Sequence, residues 1–134
     1  MKKAVATKQA PQALGPYSQA VVCGKMVYCS GQIGLDPKTN QLAKEVDQQA
    51  KQALHNLKAV LTAAGTTPAD VVKVTVFMTN IEDFQLVNQI YSQFFVDQQC
   101  LPARSAVGVQ ALPAGALVEI EAIAQKKKGS KSNE

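Results

Sequence analysis

Residues 102–124 read PARSAVGVQALPAGALVEIEAIA, and the remainder of the chain can be understood around them. The stretch begins and ends with short apolar runs of the kind that form strands. Arg104, in the first run, is the only arginine in the chain. A guanidinium group binds a carboxylate or a phosphate through two parallel hydrogen bonds, which lysine cannot do. Arg104 therefore forms either a structural ion pair with Glu119 or Glu121 of the second run, or a contact with an anionic ligand.

The segment before this stretch, residues 81–96, is predicted to be an amphipathic helix. Asp83 is the expected N-cap. Asn88 lies inside the apolar face, and a buried amide needs hydrogen-bond partners. Asn88 is therefore either a structural hydrogen-bonding residue or a ligand contact. The apolar face consists of Phe84, Val87, Tyr91, Phe94 and Phe95.

Residues 47–64 have the clearest helical periodicity in the chain, with apolar side chains at intervals of three and four residues. Gly65 is the expected left-handed residue that ends this helix. His55 falls beside the apolar stripe, so it is interpreted as a surface histidine and not as a catalytic base.

The other regular segments are β-rich, and they are residues 3–7, 18–23, 26–30 and 71–78. Gly24-Lys25 joins two of them as a hairpin, and a loop is expected at Gly31 and Gly34. The resulting order is β-ββ-α-β-α-β-β. It predicts an α+β fold, a mixed and mostly antiparallel sheet with two helices on one face.

The second face of this sheet has no covering element in the predicted order. We expect Phe77, Ala106, Gly108 and Ile123 on it, alternating with charged residues. A partly apolar and uncovered sheet face usually has a partner. We therefore predict a homo-oligomer, with Arg104 and the acidic residues near the subunit boundary.

Length and composition indicate one globular domain. The chain has 134 residues, and no apolar run approaches the roughly 18 residues that span a bilayer. The N-terminal lysines are not followed by the apolar stretch of a secretory signal.

The cysteines indicate neither a metal site nor a redox motif. Cys23, Cys29 and Cys100 have no C-x-x-C spacing, and the chain has one histidine, so we expect no metal site. Cys23 and Cys29 are expected to be buried and unreactive. Free thiols favour a reducing compartment, which we take to be the cytoplasm with a mitochondrial location left open.

The net charge of +4 arises mostly at the C-terminus. Residues 125–134 carry four lysines and one glutamate, so subtracting their +3 from +4 leaves +1 for the body. We expect a domain over residues 1–125 and a basic, disordered tail over residues 126–134. A nucleic-acid surface would need a basic patch on the folded body, which this distribution does not favour.

Five motifs occur in order along the chain: Gly15-Pro16-Tyr17-Ser18-Gln19-Ala20, Ser30-Gly31-Gln32-Ile33-Gly34, residues 80–88 (NIEDFQLVN), Pro102-Ala103-Arg104-Ser105 and Glu119-Ile120-Glu121-Ala122. Together they closely resemble the RidA (reactive intermediate deaminase, YjgF-type) family over nearly all of residues 1–125. The resemblance implies a fold like the small trimeric chorismate mutases, a homotrimer with clefts between its subunits. It also implies hydrolysis of 2-aminoacrylate, 2-iminopropanoate or 2-iminobutanoate to the 2-keto acid and ammonia, without a cofactor.

The resemblance also implies roles for individual residues. Arg104 is expected to hold the substrate carboxylate, and Glu119 to move protons through water. The backbone carbonyl of Ala106, where many bacterial members carry cysteine, is expected to orient the attacking water. The residues implied to line the cleft from the neighbouring subunit are Tyr17, Ser30, Gly31 and Asn88.

Two other functions remain as alternatives. Some members of the family are described as endoribonucleases that inhibit translation, although this body has little net charge and one histidine. The second alternative is a non-catalytic module that binds small carboxylates or partner proteins, because some related branches have lost the arginine or the activity. The presence of both Arg104 and Glu119 favours the deaminase.

Overall fold

The computed structural model describes residues 1–127 of the protein. These residues form six strands and two α-helices, in the order that the sequence predicted. The elements are β1 (Lys2–Val5), β2 (Ala20–Cys23), β3 (Met26–Ile33), α1 (Val46–Ala63), β4 (Val71–Met78), α2 (Phe84–Phe94), β5 (Ala103–Gly108) and β6 (Val118–Gln125).

The six strands form one mixed sheet in the order β1-β2-β3-β6-β4-β5. All neighbouring pairs are antiparallel except β4 and β5, which are parallel and are connected through α2. Helix α1 packs on β3 and β6, and α2 packs on α1. The predicted α+β architecture, with both helices on one face, is confirmed.

The core lies between the helices and the central strands. Val74 and Val76 of β4 alternate inward with Val118 and Ile120 of β6, and all four are at most 2% exposed. Leu57 of α1 is fully buried against the same layer. This period of two follows from the pleat of a strand, which turns alternate side chains toward one face.

Two buried amides of α1 fix the ends of β3 and β6. Asn56 donates hydrogen bonds from Nδ2 to the carbonyl oxygens of Ile33, at 3.1 Å, and Leu35, at 2.8 Å. Gln49 accepts a hydrogen bond at 2.8 Å from the backbone N–H of Leu117. Because buried polar groups are costly to leave unpaired, these bonds hold both strand ends in register with the helix.

Strand β3 continues through residues for which a loop was predicted. Gly31 remains in the strand, because a register shift between Cys29 and Gln32 accommodates the extra residue opposite β6. The side chain of Gln32 then returns to the buried side. The prediction of a loop at Gly31 was wrong, because polar residues and a glycine are typical of loops but here lie within a strand.

The start of the second predicted helix also differs in detail. Its first three residues, Ile81–Asp83, form a 3-10 turn, and the Asn80 side chain accepts a hydrogen bond from the Glu82 N–H. Asp83 precedes α2 but makes no side-chain capping bond. Gly65 has a φ of +85°, which confirms the predicted left-handed residue after α1.

Two of the four residues predicted for the uncovered sheet face lie on it. Phe77 and Ile123 alternate with buried neighbours and lie on the open face. Ala106 is paired with the buried Val76 in the parallel β4–β5 ladder and packs against the core. Paired residues in a ladder point the same way, so Ala106 and Gly108 lie on the helix face, contrary to the prediction.

The end of the folded body lies close to the predicted boundary. Lys126 is buried, and its backbone N–H donates a hydrogen bond to the Lys25 carbonyl, so it belongs to the fold rather than to the tail. Of the rest of the predicted tail, Lys127 is exposed and residues 128–134 lie outside the described residues. Within residues 1–127, no helix combines the length and the apolar character needed to cross a membrane.

Candidate functional site

Arg104 lies on β5, at the edge of the sheet, with its side chain toward α2. Its Nη1 donates a hydrogen bond of 2.7 Å to Oδ1 of Asn88. Its guanidinium carbon lies 4.6 Å from the ring centroid of Tyr91 and 5.4 Å from that of Phe84. We call these four residues, Phe84, Asn88, Tyr91 and Arg104, the arginine cluster.

The α2 sequence explains this cluster. Phe84, Asn88 and Tyr91 are spaced by four and three residues, so they form one stripe of the helix that faces Arg104. The half-buried amide of Asn88 therefore has a partner in its own chain. This corrects the implied grouping of Asn88 with Tyr17, Ser30 and Gly31, because Asn88 is hydrogen-bonded to Arg104 of its own chain.

The alternative of an ion pair between Arg104 and Glu119 or Glu121 of the same chain is wrong. Glu119 is paired with Phe77, and Glu121 with Thr75, which are the outward-facing residues of β4. Both glutamates therefore lie on the open face of the sheet. Arg104 lies on the helix face, so the sheet separates the opposite charges.

An open groove of about 540 Å³ extends from Arg104 along the end of α2. The buried hydroxyl of Tyr91 finds no hydrogen-bond partner within the described part of the chain. Burial raises the pKa of Tyr91, while the Arg104 charge acts in the opposite direction. Besides Asn88, Tyr91 and Arg104, the groove is lined by Ser92, Phe95, Val96, Gln98, Leu101 and Pro102.

A second group of predicted site residues lies on another part of the surface. Tyr17, Gly31 and Glu119 line one pocket of about 290 Å³, and Ser30 precedes Gly31 in β3. We call Tyr17, Ser30, Gly31 and Glu119 the carboxylate cluster. The strand pairing between Ile33 and Glu119 brings β3 and β6 together at this point.

Gly31 is required by the space that Glu119 occupies. A Cβ atom at Gly31 would lie 2.5 Å from Oε2 of Glu119 and 2.8 Å from its Cγ and Cδ. Any larger residue at position 31 would therefore displace the carboxylate. Gly31 thus leaves the space in which the Glu119 carboxylate lies.

Ser30 holds the segment that carries Tyr17. Its hydroxyl donates a hydrogen bond of 2.7 Å to the carbonyl of Ser18, and its backbone N–H donates one of 2.9 Å to the carbonyl of Gln19. Tyr17 itself is 53% exposed, and its hydroxyl accepts a long hydrogen bond, 3.4 Å, from the Leu14 N–H. The phenol therefore lies at the surface on an anchored loop.

Glu119 has an environment suited to proton transfer. Burial raises the pKa of its carboxyl group, and the nearby Glu121 charge raises it further. A carboxyl group with a raised pKa exchanges protons closer to neutral pH than an exposed one. Such a shift is common at functional sites, and in Glu119 it occurs beside a pocket.

The thiols and the histidine lie apart from both clusters. Burial raises the pKa of Cys29 to about 12, so it is an inert thiol as predicted. Cys23 is exposed, contrary to the prediction, because it follows the last inward residue of β2. His55 is exposed on α1, which confirms its interpretation as a surface residue. Among residues 1–127, no cluster of three acidic, cysteine or histidine side chains is placed to hold a metal ion.

The two clusters of one chain do not meet. Strand β4 separates β5, which carries Arg104, from β6, which carries Glu119, so the two backbones are about 10 Å apart. The two side chains also point to opposite faces. A ligand of a few heavy atoms cannot contact both in the same chain.

The sequence model of the endoribonuclease L-PSP family matches residues 7–126, which include both clusters. The chain belongs to this family. The RidA membership predicted from the motifs is thereby confirmed. The family model ends at Lys126, the buried residue at which the hydrogen-bonded fold also ends.

Relatives within the family are similar over almost their whole length. The chain is 48% identical to the 2-iminobutanoate/2-iminopropanoate deaminase of Salmonella typhimurium, over 95% of this chain and 100% of that one. It is 48% identical to the human protein of the same name, over 92% and 90%. The structure of Escherichia coli TdcF with bound serine superposes with a TM-score of 0.90 at 44% identity, covering 93% of this chain and 99% of that chain.

Two contributions to the site were missed by the sequence reasoning. Phe84 and Tyr91 were assigned to the apolar face of a helix, and their contact with Arg104 was not foreseen. Their spacing around Asn88 was the available signal. Gln19 was also missed as an anchor, although it is 4% exposed and bonds the backbone of Thr7 and Pro11.

Proposed function

We propose that the protein is a hydrolytic deaminase of small reactive imines and enamines. The substrates are 2-iminopropanoate with its tautomer 2-aminoacrylate, and 2-iminobutanoate. Each has a carboxylate beside a C=N carbon, and water converts it to a 2-keto acid and ammonia. The names of relatives at 48% identity over nearly full length support this activity.

The observation that carries the proposal is that every group holding the Arg104 guanidinium is uncharged. Its guanidinium is fixed by an amide and two aromatic rings, none of which carries a charge. Within residues 1–127, none of its contacts is a carboxylate. An ordered arginine whose charge is left unpaired beside an open groove suits an anionic ligand with a planar carboxylate.

We propose that the complete site forms between copies of the chain, in a homotrimer. The two clusters lie on opposite faces of the sheet, so the arginine cluster of one copy needs the carboxylate cluster of another. The open face of the sheet, with Tyr28 and Val107 exposed at 47% and 39%, supplies apolar surface for the assembly. A closed ring with such a heterologous contact repeats the site at every interface.

In this site each residue has a separate task. Arg104 holds the carboxylate through a bidentate pair and so fixes the reacting carbon. The backbone carbonyl of Ala106, two residues further along β5, orients the attacking water. Glu119 takes a proton from that water as its oxygen adds to the C=N carbon, and passes the proton to nitrogen. The proton of the new hydroxyl group then reaches nitrogen by the same route, so that C=O forms as the C–N bond breaks and ammonia leaves. Tyr17 covers the substrate and limits access of bulk water.

Competition with semicarbazide tests the proposal. A threonine dehydratase generates 2-iminobutanoate, semicarbazide traps the free imine, and faster formation of 2-oxobutanoate reports hydrolysis by the protein. We expect activity in the wild type and a loss of at least about 30-fold in Arg104→Ala, because a buried charged contact is worth about 2–5 kcal/mol. Equal activity in both proteins, with equal oligomer size, would refute the assignment.

RNA cleavage is the second candidate, because the family model is described by that activity. The sole histidine of the chain, His55, is exposed on α1 and belongs to neither cluster. A salt titration separates the two activities. Contacts with RNA phosphates weaken steeply as salt is raised, whereas imine hydrolysis depends on salt much less.

A further inference from the structure

All the groups that hold Arg104 are uncharged. Asn88 accepts one hydrogen bond from the guanidinium, and the rings of Tyr91 and Phe84 lie within about 6 Å of its carbon, the range of a cation–π contact. A ring attracts a cation through its quadrupole and leaves the net charge in place. A carboxylate would hold the arginine equally well, but it would also neutralise it.

The geometry leaves most of the guanidinium available. Arginine has five N–H donors in one plane. The described residues give Arg104 a single side-chain hydrogen bond, from Nη1 to Asn88. The guanidinium carbon lies 4.6 Å from the ring centroid of Tyr91 and 5.4 Å from that of Phe84, and neither ring accepts a conventional hydrogen bond from it. The remaining donors are therefore free to bind an anion in the adjoining groove.

The Tyr91 hydroxyl takes no part in holding the arginine. It is buried without a partner among the described residues, and burial raises the pKa of the phenol, so it stays neutral. The aromatic ring is therefore the part of Tyr91 that acts on Arg104. We therefore expect that removing the hydroxyl leaves the cluster intact and that removing the ring does not.

We propose that Phe84 and Tyr91 are positioning residues, which hold Arg104 in place without neutralising it and so reserve its charge for the carboxylate of the ligand. This inference rests on the proposed function for the identity of that ligand. It treats the stripe of α2 as part of the binding apparatus, although its rings need not touch the substrate.

Binding of 2-oxobutanoate, the stable product, tests the role of the ring by titration calorimetry. We expect Tyr91→Leu to weaken binding about 3- to 30-fold, the range of a cation–π contact. Tyr91→Phe keeps the ring and should stay within about twofold of the wild type. Phe94→Leu is the matched control, because Phe94 contacts Phe95 at 4.9 Å and is outside the arginine cluster. An equal loss in Phe94→Leu and Tyr91→Leu would overturn the inference.

A change of charge separates positioning from a merely structural role. Asn88→Asp keeps the shape and the acceptor oxygen but adds a negative charge 2.7 Å from Nη1. We expect it to weaken binding at least about tenfold while the thermal stability is kept, because the new ion pair competes with the ligand. Gln93→Glu, an exposed position on the same helix, adds the same charge and should change binding less than about twofold. Wild-type affinity in Asn88→Asp would overturn the inference.

These binding measurements need no turnover, so the two proposals fail separately. A wild type that shows this pattern of affinities but does not compete with semicarbazide would keep the positioning role and refute the deaminase. If the wild type hydrolyses the imine and both Tyr91→Leu and Asn88→Asp have an unchanged KM, the deaminase assignment stands and the positioning role is refuted. Absence of any binding to the wild type would also overturn the inference.

Discussion

Arg104 is held by side chains of a single helix, whereas Glu119 lies among residues from three separate parts of the chain. The partners of Arg104 are one stripe of α2, and their spacing follows directly from the helix. The pocket beside Glu119 is also lined by Tyr17 in a loop, Gly31 in an irregular strand and Pro113 in the connection before β6. One cluster is thus set by local geometry, and the other by long-range packing.

The two clusters also differ in where they lie on the sheet. The arginine cluster lies on the helix face at one edge of the sheet, and the carboxylate cluster lies where the open face meets the N-terminal loop. Neither cluster alone can both grip a carboxylate and move a proton. In the site that we propose between copies, the chemistry depends on assembly of the chain.

Mixed oligomers give the largest expected effect. Arg104→Ala should lose at least about 30-fold of the activity, and Glu119→Gln about 100-fold or more, since each removes one function. When the two variants are co-expressed and assemble at random, a site is complete only where an intact Arg104 meets an intact Glu119 of another copy. About one quarter of the sites in a cyclic oligomer satisfy this condition. Hydrolysis of 2-iminobutanoate measures the recovery.

The control for this experiment is a mixture of the two separately assembled variants, which should remain inactive until the subunits exchange. If the co-expressed oligomers are no more active than the separate variants, both clusters must act within one chain. That outcome would contradict the proposed site between copies.

Gly31→Ala should have the next largest effect. Its Cβ would lie 2.5 Å from Oε2 of Glu119, so the flexible carboxylate has to move while the backbone is kept. We expect activity to fall about 10- to 100-fold, since displacing a catalytic group by about 1 Å costs this much. Because Arg104 is untouched, binding of 2-oxobutanoate should fall much less than activity.

Gly108→Ala is the matched control for this substitution. Its Cβ would lie 3.6 Å from Cβ of Ile81, an ordinary contact, and the change should leave activity within about twofold. If the two alanine variants lose activity to the same extent, the crowding of Glu119 is not the cause.

Ser30→Ala tests the anchor of the Tyr17 loop. The Ser30 hydroxyl donates to the carbonyl of Ser18, and its loss should cost about 1 kcal/mol of local stability. Faster hydrogen exchange in residues 11–18 and an activity about threefold lower are expected, because a mobile Tyr17 covers the site less often. Ser18→Ala removes a hydroxyl but keeps the bonded carbonyl, so it should exchange like the wild type.

Local patterns predicted most of the fold but not the faces of its strands. The period of α1 and the β-branched run of β4 were sufficient, because burial on one face imposes those periods. The prediction of which sheet face each β5 residue occupies was wrong, because a six-residue strand with small side chains shows no clear alternation of apolar and polar residues. Only its parallel pairing with β4 places Arg104 and Ala106 on the helix side.

The candidate site shows the same limit. The motifs identified Arg104 and Glu119, yet their separation by the sheet depends on strand order, which a sequence pattern does not contain. Asn88 was correctly singled out as an amide in an apolar stripe that needs a partner. That partner, Arg104, is 16 residues away and becomes a neighbour only because α2 crosses back to place β5 beside β4.

The smallest expected effect concerns stability, and it comes from the carboxylate cluster alone. Burial and the Glu121 charge raise the pKa of Glu119 above its unfolded value, which is about 4.3. Between these two pKa values the folded state binds more protons than the unfolded state, so the free energy of unfolding decreases as pH rises through this window. At neutral pH the wild type therefore carries the full cost of an ionised, partly buried carboxylate.

Glutamine at position 119 has nearly the same shape and no charge, so Glu119→Gln should be inactive yet more stable than the wild type at pH 7. The gain should shrink as the pH is lowered toward 4, because the wild-type carboxyl becomes protonated as well. Thermal unfolding at both pH values, at a fixed protein concentration, measures the difference. Arg104→Gln is the contrasting variant, because it changes only the arginine cluster and keeps the Glu119 carboxyl group, so any change in stability should be the same at both pH values. A gain in Glu119→Gln that is independent of pH would mean that packing, and not the raised pKa, is responsible. In that case the stability measurements would give no support for a raised pKa of Glu119, and the proposed proton-transfer role of Glu119 would lose its physical basis.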